Sequence, residues 1–477
     1  MHRDNDVQGE TQHPGSDSIS QEGNGREDGM LRENEHEEHE RENEQGQVGE
    51  VLTIVFTADN HLGSLAFGVP PHKREERAQR LRRAFQQATD FAIGQGVDLF
   101  IQGGDLFDTP TPDERDRSFV AERLAQLKQA GVRVFAIGGF HDTPQTLDSE
   151  RLAPQQSYAR LGALHYFAPD PFSRRQQSGA GEDGSLEPLF LTIRGMLVGI
   201  CGLGAEAAAA GDSLAHLKVN SRIERAVSLL ILHAPIEGVT PGLHPHLQLS
   251  QNSIERQNAF RYILAGYSHR YGHHRIGKSE LIIAGATQHI DFSRQSSADD
   301  PSEQAPGFVF LGIAPDGLRW CKHIEVDSLR LRRLDIRASD LWADAQDTQE
   351  SLTAPTERLL TRLRQLSGPD TLLQLCLQGE LTRHQYHQLD LNQIRRYGEQ
   401  HCFALAIDDS GLSLLPDSKE ARPAALGAPQ RFSPRQELLS LIEEEIAAAR
   451  EAQEKRALQI TKEELLIALD EVKGRSV

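Results

Sequence analysis

The sequence predicts an α/β fold in which a mainly parallel β-sheet is flanked by helices and a second sheet packs against it. Three short apolar segments, 51–57, 97–102 and 132–137, alternate with two amphipathic segments of helical length. This alternation is typical of βαβ units, whose strands run parallel. Closely spaced short apolar segments then follow up to about residue 325 and indicate the second sheet.

Each element of this fold has its own signal in the sequence. The first strand, 51–57, is a β-branched apolar run, which indicates a buried position in the sheet. Helices are predicted near 74–94 and 113–130, because apolar residues recur there at helical spacing. The later strands are predicted at 189–193, 197–201, 228–232, 262–265, 281–284 and 307–313.

The composition divides the chain into five parts. Residues 1–49 are predicted to be a disordered acidic tail, because they contain almost no aliphatic side chains. Residues 50–327 form the main α/β domain, and residues 328–415 form a smaller α/β unit appended to it. A linker rich in Pro, Ala and Gly covers 416–432. Residues 433–477 are predicted to form two amphipathic helices, each starting with a capping box.

The negative charge is concentrated in the tail. The formal net charge is -19, and residues 1–50 contain 15 acidic and 4 basic side chains, which leaves -8 on the rest of the chain. The predicted folded part is therefore close enough to neutral to carry local basic surfaces. Basic clusters at 73–83, 330–337 and 358–364 either line a groove for nucleic acid or are solvated helix faces.

From the sequence we do not expect a secreted protein, a membrane-spanning protein or an ATPase. The charged first residues cannot serve as a signal peptide, and nowhere do 18 apolar residues run without interruption. The four cysteines lie far apart without a Cys-x-x-Cys pair, so we expect reduced thiols in a cytoplasmic protein without contact to a membrane. The phosphate-binding loop of ATPases is missing, so any ATP hydrolysis would belong to a partner.

Carboxylate and imidazole side chains follow five of the predicted strands at their carboxyl ends, the edge where open α/β sheets bind ligands. Mixed Asp and His ligands suit manganese, iron or zinc, and such ions polarise phosphoryl oxygens and lower the pKa of bound water. Each residue alone is better explained as a polar loop residue or a helix cap, so the metal prediction depends on the recurrence. The residues are Asp59 and His61, Asp105, His141 and Asp142, His233, and His269.

These motifs resemble the signature of the calcineurin-like metallophosphoesterases. The GGDLFD form of the second motif and the segment 285–292 are similar, more narrowly, to the SbcD and YhaO group of DNA repair exonucleases. The resemblance implies a four-layer αββα sandwich, with 328–415 as a capping domain and 433–477 as a segment that docks on an SbcC-like coiled-coil ATPase. The motifs are Asp59-x-His61, Gly104-Asp105-x-x-Asp108, Gly139-Phe140-His141-Asp142, His233 and Gly266-Tyr267-x-His269.

The resemblance implies two metal sites, of which only the first keeps every ligand. The second would use Asp105, His233 and positions 140 and 267, where the family usually has Asn and His. Here these positions are Phe140 and Tyr267. Phenylalanine offers no lone pair, and tyrosine ligates only as a phenolate, so two of four expected ligands remain. The first-site ligands are Asp59, His61, Asp105 and His269.

Three further histidines complete the site predictions. His141 matches the family's histidine beside the scissile phosphate, which positions that phosphate or protonates the leaving oxygen, and Asp142 follows it as usual. His273 and His274 are predicted to be exposed loop residues, with a replacement-ligand role as the alternative.

Three functions remain open on the sequence alone. The first is a manganese-dependent phosphodiesterase with one or two ions, acting on DNA as the exonuclease subunit of a repair complex with an SbcC-like ATPase. The second is a catalytically degenerate subunit that binds DNA ends or scaffolds the ATPase. The third is a phosphatase or phosphodiesterase for small molecules. A homodimer is also left open.

Overall fold

A computed structural model describes residues 51–144, 152–167, 185–205, 217–240, 248–290, 305–342 and 355–415, together with the single residues 214 and 446. The predicted acidic tail at 1–49 and linker at 416–432 lie outside the described residues, as do the predicted docking helices at 433–477 apart from residue 446. No helix in the described segments has the length and apolar character needed to cross a bilayer.

The described elements follow one another in the order that the sequence predicts, with short strands in the second half. The strands are β1 (Leu52–Thr57), β2 (Leu99–Gln102), β3 (Arg133–Ala136), β4 (His165–Tyr166), β5 (Ser185–Leu186), β6 (Leu189–Ile193), β7 (Met196–Leu203), β8 (Lys218–Val219), β9 (Val227–His233), β10 (Tyr262–Gly266), β11 (Gly272–Ile276), β12 (Ser279–Ile283), β13 (Gly307–Ala314), β14 (Gly317–Glu325), β15 (Arg330–Arg337), β16 (Thr371–Thr382) and β17 (Ala404–Leu415). The helices are α1 (Arg74–Gln95), α2 (Glu114–Gln129), α3 (Pro154–Arg160), α4 (Gln251–Gln257), α5 (Pro355–Leu366), α6 (Arg383–Gln388) and α7 (Leu391–His401).

Two six-stranded sheets carry the main domain. The first has the order β14-β13-β1-β2-β3-β4, and the second has the order β11-β12-β10-β9-β7-β6. In the first sheet β1 pairs with β2, and β2 with β3, in parallel, as the βαβ pattern predicts. In the second sheet β9 is parallel to both β7 and β10. The carboxyl ends of β1, β2 and β3 therefore meet at one edge, as do those of β9 and β10.

Three apolar clusters hold the layers together. Phe85 of α1 and Phe100 of β2 belong to the cluster between the helices and the first sheet. Ile54 of β1 and Ile231 of β9 belong to the cluster between the two sheets. Ile254 of α4 covers the far side of the second sheet. The layers are thus helix, sheet, sheet and helix, which confirms the predicted αββα sandwich.

Residues 330–415 form a separate three-stranded sheet in the order β15-β16-β17, with all strands parallel. Leu360 of α5 and Ile394 of α7 pack on one face of this sheet. The capping box of α6, in which Thr382 and Gln385 bond each other's backbone, begins the helix directly after β16. The strands and helices described in this range thus share one apolar core.

Part of the predicted basic cluster at 73–83 is engaged in contacts within the protein. Lys73 Nζ donates to the carbonyl oxygen of Cys402 at 2.5 Å, and Arg80 pairs with Asp370 at 2.6 Å. Both cations also lie over the ring of Phe403, 5.6 and 5.5 Å from its centroid. These side chains therefore fasten α1 to the three-stranded sheet unit and are not free to line a groove.

The prediction that His273 and His274 lie in a loop is wrong. Both lie in β11, which pairs antiparallel with β12, and His273 Nε2 is 3.0 Å from Glu280 Oε2. The sequence pattern missed β11 because its central side chains are exposed, so the apolar alternation of a half-buried strand is absent.

Candidate metal centre

The backbone turns sharply where β1, β2 and β10 end. Asp59, His61 and Asp105 have φ values of 49°, 45° and 52°, and Tyr267 has φ 85°. This left-handed conformation is costly for residues other than glycine, by about 1–3 kcal/mol each, and persists only where the surroundings enforce it. Two backbone bonds, from Asp59 N to Gly104 O and from His61 N to Asp105 O, both 3.0 Å, join the first two loops.

Two glycines allow these loops to approach each other closely. A Cβ atom on Gly104, whose φ is 95°, would lie 2.3 Å from Nδ1 of His233. A Cβ atom on Gly139 would lie 2.1 Å from Oδ1 of Asp105. Any side chain at either position would displace a candidate ligand, so the glycines of these motifs are needed for packing at the site.

The loops bring the predicted ligands together. His61 Nε2 is 3.8 Å from Asp105 Oδ2, and His269 Nε2 is 4.0 Å from Asp59 Oδ1. His233 Nε2 is 3.2 Å from Asp105 Oδ2. Each of three overlapping groups has one donor atom per residue within 4.8 Å of the others: Asp59, His61 and His269; His61, Asp105 and His141; and Asp59, Asp105 and His233.

The donor atoms fit a divalent metal ion. Ligand atoms that each lie about 2.1 Å from one ion are separated from each other by roughly 3–4 Å, as these are. In addition, Nε2 of His61 is buried and makes no well-aligned hydrogen bond within the described residues, whereas Nε2 of His233 faces the Asp105 carboxylate. Buried polar atoms normally have a partner, so the inward-facing Nε2 of His61 indicates that a bound ion supplies one.

Opposite charges stabilise each other in the buried cluster. Burial opposes ionisation of Asp105, but His233 and His61 outweigh it and hold the pKa of Asp105 below its usual range. Burial would likewise lower the pKa of His233, yet the Asp105 carboxylate raises it to about 9. For Asp59, burial dominates and raises the pKa despite the neighbouring imidazoles. Without an ion, the Asp105 carboxylate and the His233 imidazole thus stabilise each other's charged forms.

Two aromatic rings occupy the positions where the resemblance implies the other ligands of a second ion. The ring of Phe140 lies 5.6 Å from that of His233 and 5.6 Å from that of Tyr267. Burial, together with Asp59, raises the pKa of the Tyr267 phenol to about 12, so it remains protonated at neutral pH. The backbone N–H of Tyr267 donates to both oxygens of Asp59 at 3.1 Å.

His141 and Asp142 are adjacent in sequence but face different surroundings. The side chain of His141 is 42% exposed, and its ring centroid lies 4.7 Å from that of His61. Asp142 is fully buried, and its carboxylate accepts from Leu106 N and Gly139 N, both at 2.8 Å. Gln155 Nε2, from α3, donates to the same carboxylate. His141 therefore lies at the solvent-exposed side of the centre. Asp142 instead joins the loops after β2 and β3 through buried hydrogen bonds.

Sequence reasoning gave no role to two residues that the structure places beside the predicted ligands. Asp108 was visible as the last residue of the second motif, and its Oδ1 lies 2.9 Å from Nδ1 of His61. Gln155 had no signal, because nothing in the sequence indicates that α3 packs against the loop after β3, where Asp142 lies. Both roles depend on how separate loops close on each other.

Comparisons with known proteins agree with this geometry. Residues 52–271 match the family model described as calcineurin-like phosphoesterase. A DNA double-strand break repair protein Mre11 from Sulfurisphaera tokodaii is 22% identical over 308 residues, which are 64% of this chain and 70% of that protein. The Mre11 protein of Aeropyrum pernix is 34% identical over 100 residues, which are 21% of this chain and 23% of that protein.

A solved dimetal phosphatase from Danio rerio covers 58% of this chain at 12% identity and a TM-score of 0.34, which is too low to support an argument. The residues matched by the family model contain all the candidate ligands, from Asp59 to His269. Residues 52–271 of the chain therefore belong to the calcineurin-like phosphoesterase family.

Proposed function

We propose that the protein is a metal-dependent phosphodiesterase that acts on DNA, as the exonuclease subunit of a repair complex. The observation that carries this proposal is the cluster of Asp59, His61, Asp105 and His269 at the shared edge of two sheets, with the lone buried Nε2 of His61 facing into it. The Mre11 relatives favour DNA over other phosphodiesters.

We assign the four residues of the first cluster as ligands of one manganese ion. Such an ion, when bound, would polarise a phosphoryl oxygen and lower the pKa of a water molecule. Asp105 and His61 would hold it from the first sheet, and His269 from the second. His61 would be kept in the right tautomer by Asp108, since its Nδ1 faces that carboxylate.

His141 would act on the substrate directly. Its ring is partly exposed beside the cluster. Its backbone N–H donates to Asp105 Oδ1 at 2.7 Å, which fixes the position of the His141 backbone. From there it would bind a phosphate oxygen or give its proton to the departing sugar oxygen. Asp142 would be a positioning residue, since its carboxylate already accepts hydrogen bonds from the loops that carry Asp105 and His141.

The second ion is not part of the proposal. Phe140 offers no donor atom, and Tyr267 would have to ionise against a pKa raised to about 12. The residues that remain for a second ion are Asp105 and His233, which already face each other at 3.2 Å. We therefore propose an enzyme that works with a single ion.

The same two aromatic side chains favour a second candidate function. If one ion is not enough for catalysis, the protein would be a degenerate phosphoesterase that binds DNA ends or scaffolds an ATPase. In both cases we propose a cytoplasmic protein that works with DNA and with an SbcC-like coiled-coil ATPase. The four cysteines, all free thiols in the structure, are compatible with a reducing compartment.

Metal content and nuclease activity decide between these functions. The full chain is loaded with Mn²⁺, its bound metal is counted, and degradation of end-labelled duplex DNA is followed beside hydrolysis of a small nitrophenyl phosphate monoester. We expect one ion per chain and degradation of DNA that disappears in Asp59→Ala but persists in the control Asp316→Ala, which alters an exposed turn carboxylate. A protein that binds no metal and degrades nothing would overturn the proposed activity, and activity on the monoester alone would favour a small-molecule phosphatase.

A further inference from the structure

A network of buried amides lies directly beneath the candidate metal centre. Asn60 stands between the candidate ligands Asp59 and His61, and it is 0% exposed. Its Nδ2 donates to Thr57 Oγ1 at 2.8 Å and to Thr287 Oγ1 at 3.2 Å. The amino group of Asn60 is thus engaged by two threonine hydroxyls inside the protein.

Gln102, at the end of β2, fixes the orientation of the Asn60 amide. Gln102 Oε1 accepts from Gly104 N at 3.2 Å, and Gln102 Nε2 donates to Gly104 O at 2.8 Å. With its oxygen committed in this way, Gln102 presents only its amino group to Asn60, whose Oδ1 lies 3.4 Å away. Asn60 must therefore direct its own amino group at the two threonine hydroxyls, and one arrangement satisfies every group.

The network reaches the loops that carry all four candidate ligands of the first ion. Asn60 itself belongs to the loop after β1. Through Gln102 it is joined to Gly104, the residue before Asp105. Through Thr287 it is joined to the loop after β12, in which Ala286 N donates to the carbonyl oxygen of His269 at 3.0 Å.

We infer that Asn60 is the positioning residue of the metal centre, which holds the ligand loops from β1, β2 and β10 at the spacing that one ion requires. The inference rests on the proposed function, because it assigns a role toward the ion of that same site. The strained φ values of Asp59 and His61 explain why such a hub is needed, since a left-handed backbone at non-glycine residues persists only when its surroundings enforce it.

The test is the affinity for Mn²⁺, measured by calorimetry on the full chain. Asn60→Leu keeps the branched shape of the side chain but removes its hydrogen-bonding groups, and we expect Mn²⁺ to bind about 10–100-fold more weakly, the range typical of residues that orient metal ligands. Gln257→Leu is the matched control, because it also removes a buried amide with two hydrogen bonds, to Leu214 O and Leu217 O, in another part of the fold. We expect it to reduce thermal stability but to leave Mn²⁺ affinity unchanged.

A milder pair of variants decides the question if Asn60→Leu does not fold. Thr287→Val removes only the hydroxyl that links Asn60 to the His269 side, and we expect roughly tenfold weaker Mn²⁺ binding. Thr89→Val, which removes a buried hydroxyl within α1, should not change the affinity. Unchanged affinity in Thr287→Val, and in Asn60→Leu where it folds, overturns the positioning role alone. If the unmodified protein binds no Mn²⁺, the proposed function fails and the positioning role with it.

Discussion

Nδ1 of His61 lies 2.9 Å from Oδ1 of Asp108. Because a carboxylate only accepts, the imidazole must hold its proton on Nδ1. Its Nε2 is then left with a lone pair, and this is the buried atom without a well-aligned hydrogen bond in the described residues. One carboxylate thus determines which nitrogen of His61 is available to a metal ion.

Removal of this carboxylate should weaken metal binding without removing a ligand. In Asp108→Ala we expect Mn²⁺ affinity to fall about 10–100-fold, because His61 loses the partner that fixes its tautomer and ring orientation. Asp108→Asn keeps an acceptor oxygen and should lose less. Calorimetric titration with Mn²⁺ measures both, with Asp316→Ala as the control. Equal affinity in Asp108→Ala and the unmodified protein would show that the contact does not prepare His61 for the ion.

Restoration of the missing donors should add a second ion. Phe140→Asn with Tyr267→His replaces two rings that lie 5.6 Å apart beside His233 by side chains that the family uses as ligands. We expect the bound Mn²⁺ to rise from one to two ions per chain, and DNA degradation to increase. Metal counting by mass spectrometry checks the first result. The two single variants serve as controls, since either one leaves the second position short of a ligand, and a double variant that still binds one ion would contradict the prediction.

The order of the layers could be predicted from the sequence because it depends on local patterns. The β-branched run of β1 and the helical spacing of α1 are visible without knowledge of the fold, and both elements are present at Leu52–Thr57 and Arg74–Gln95. β11 was missed, and β14, at Gly317–Glu325, had no separate signal. Both are edge strands with partly exposed side chains, so neither has the continuous apolar run of the buried strands.

The candidate site shows a similar division. The sequence places Asp59, Asp105 and His269 at strand ends, and parallel pairing alone is enough to bring such ends together. The hydrogen bonds of Asn60 and Gln155 could not be predicted, because each joins segments whose distance depends on how several loops close. Contacts of this kind are a property of the packed structure and leave no periodic pattern in the chain.

The stability of the protein should depend on the Asp142 carboxylate, so that even its replacement by an amide lowers it. Its Oδ2 accepts from Leu106 N and Gln155 Nε2, and its Oδ1 accepts from Gly139 N. An amide in its place must turn its NH₂ group toward one of these donors, so we expect Asp142→Asn to lower the free energy of unfolding by about 1–3 kcal/mol. Urea denaturation of the metal-free protein measures this. Asp316→Asn is the control, because it makes the same change at an exposed carboxylate and should have no effect.

Phe403 should hold the three-stranded sheet unit against the main domain. It is 1% exposed and belongs to an apolar cluster with Phe67 and Val69 of the main domain. Phe403→Ala leaves a cavity at this junction, and we expect a loss of about 3–5 kcal/mol in stability together with faster hydrogen exchange in residues 66–73. Leu363→Ala, inside the core of the smaller unit, is the matched control. It should destabilise that unit, but the exchange of 66–73 should change less than in Phe403→Ala.

Substrates with different leaving groups can distinguish whether His141 supplies a proton or binds the phosphate. Burial, with a smaller contribution from His61, lowers the pKa of His141 below its usual 6.5, so the protonated form that a general acid requires is lost as the pH rises through a value below 6.5. DNA cleavage needs a proton on the departing sugar oxygen, whereas a nitrophenyl ester of thymidine 5′-phosphate releases a stable anion. We therefore expect His141→Asn to slow DNA cleavage by about 10²–10⁴-fold, to remove the decline of that rate above the pKa, and to affect the ester much less. An equal loss on both substrates would mean that His141 binds the phosphate and does not supply the proton.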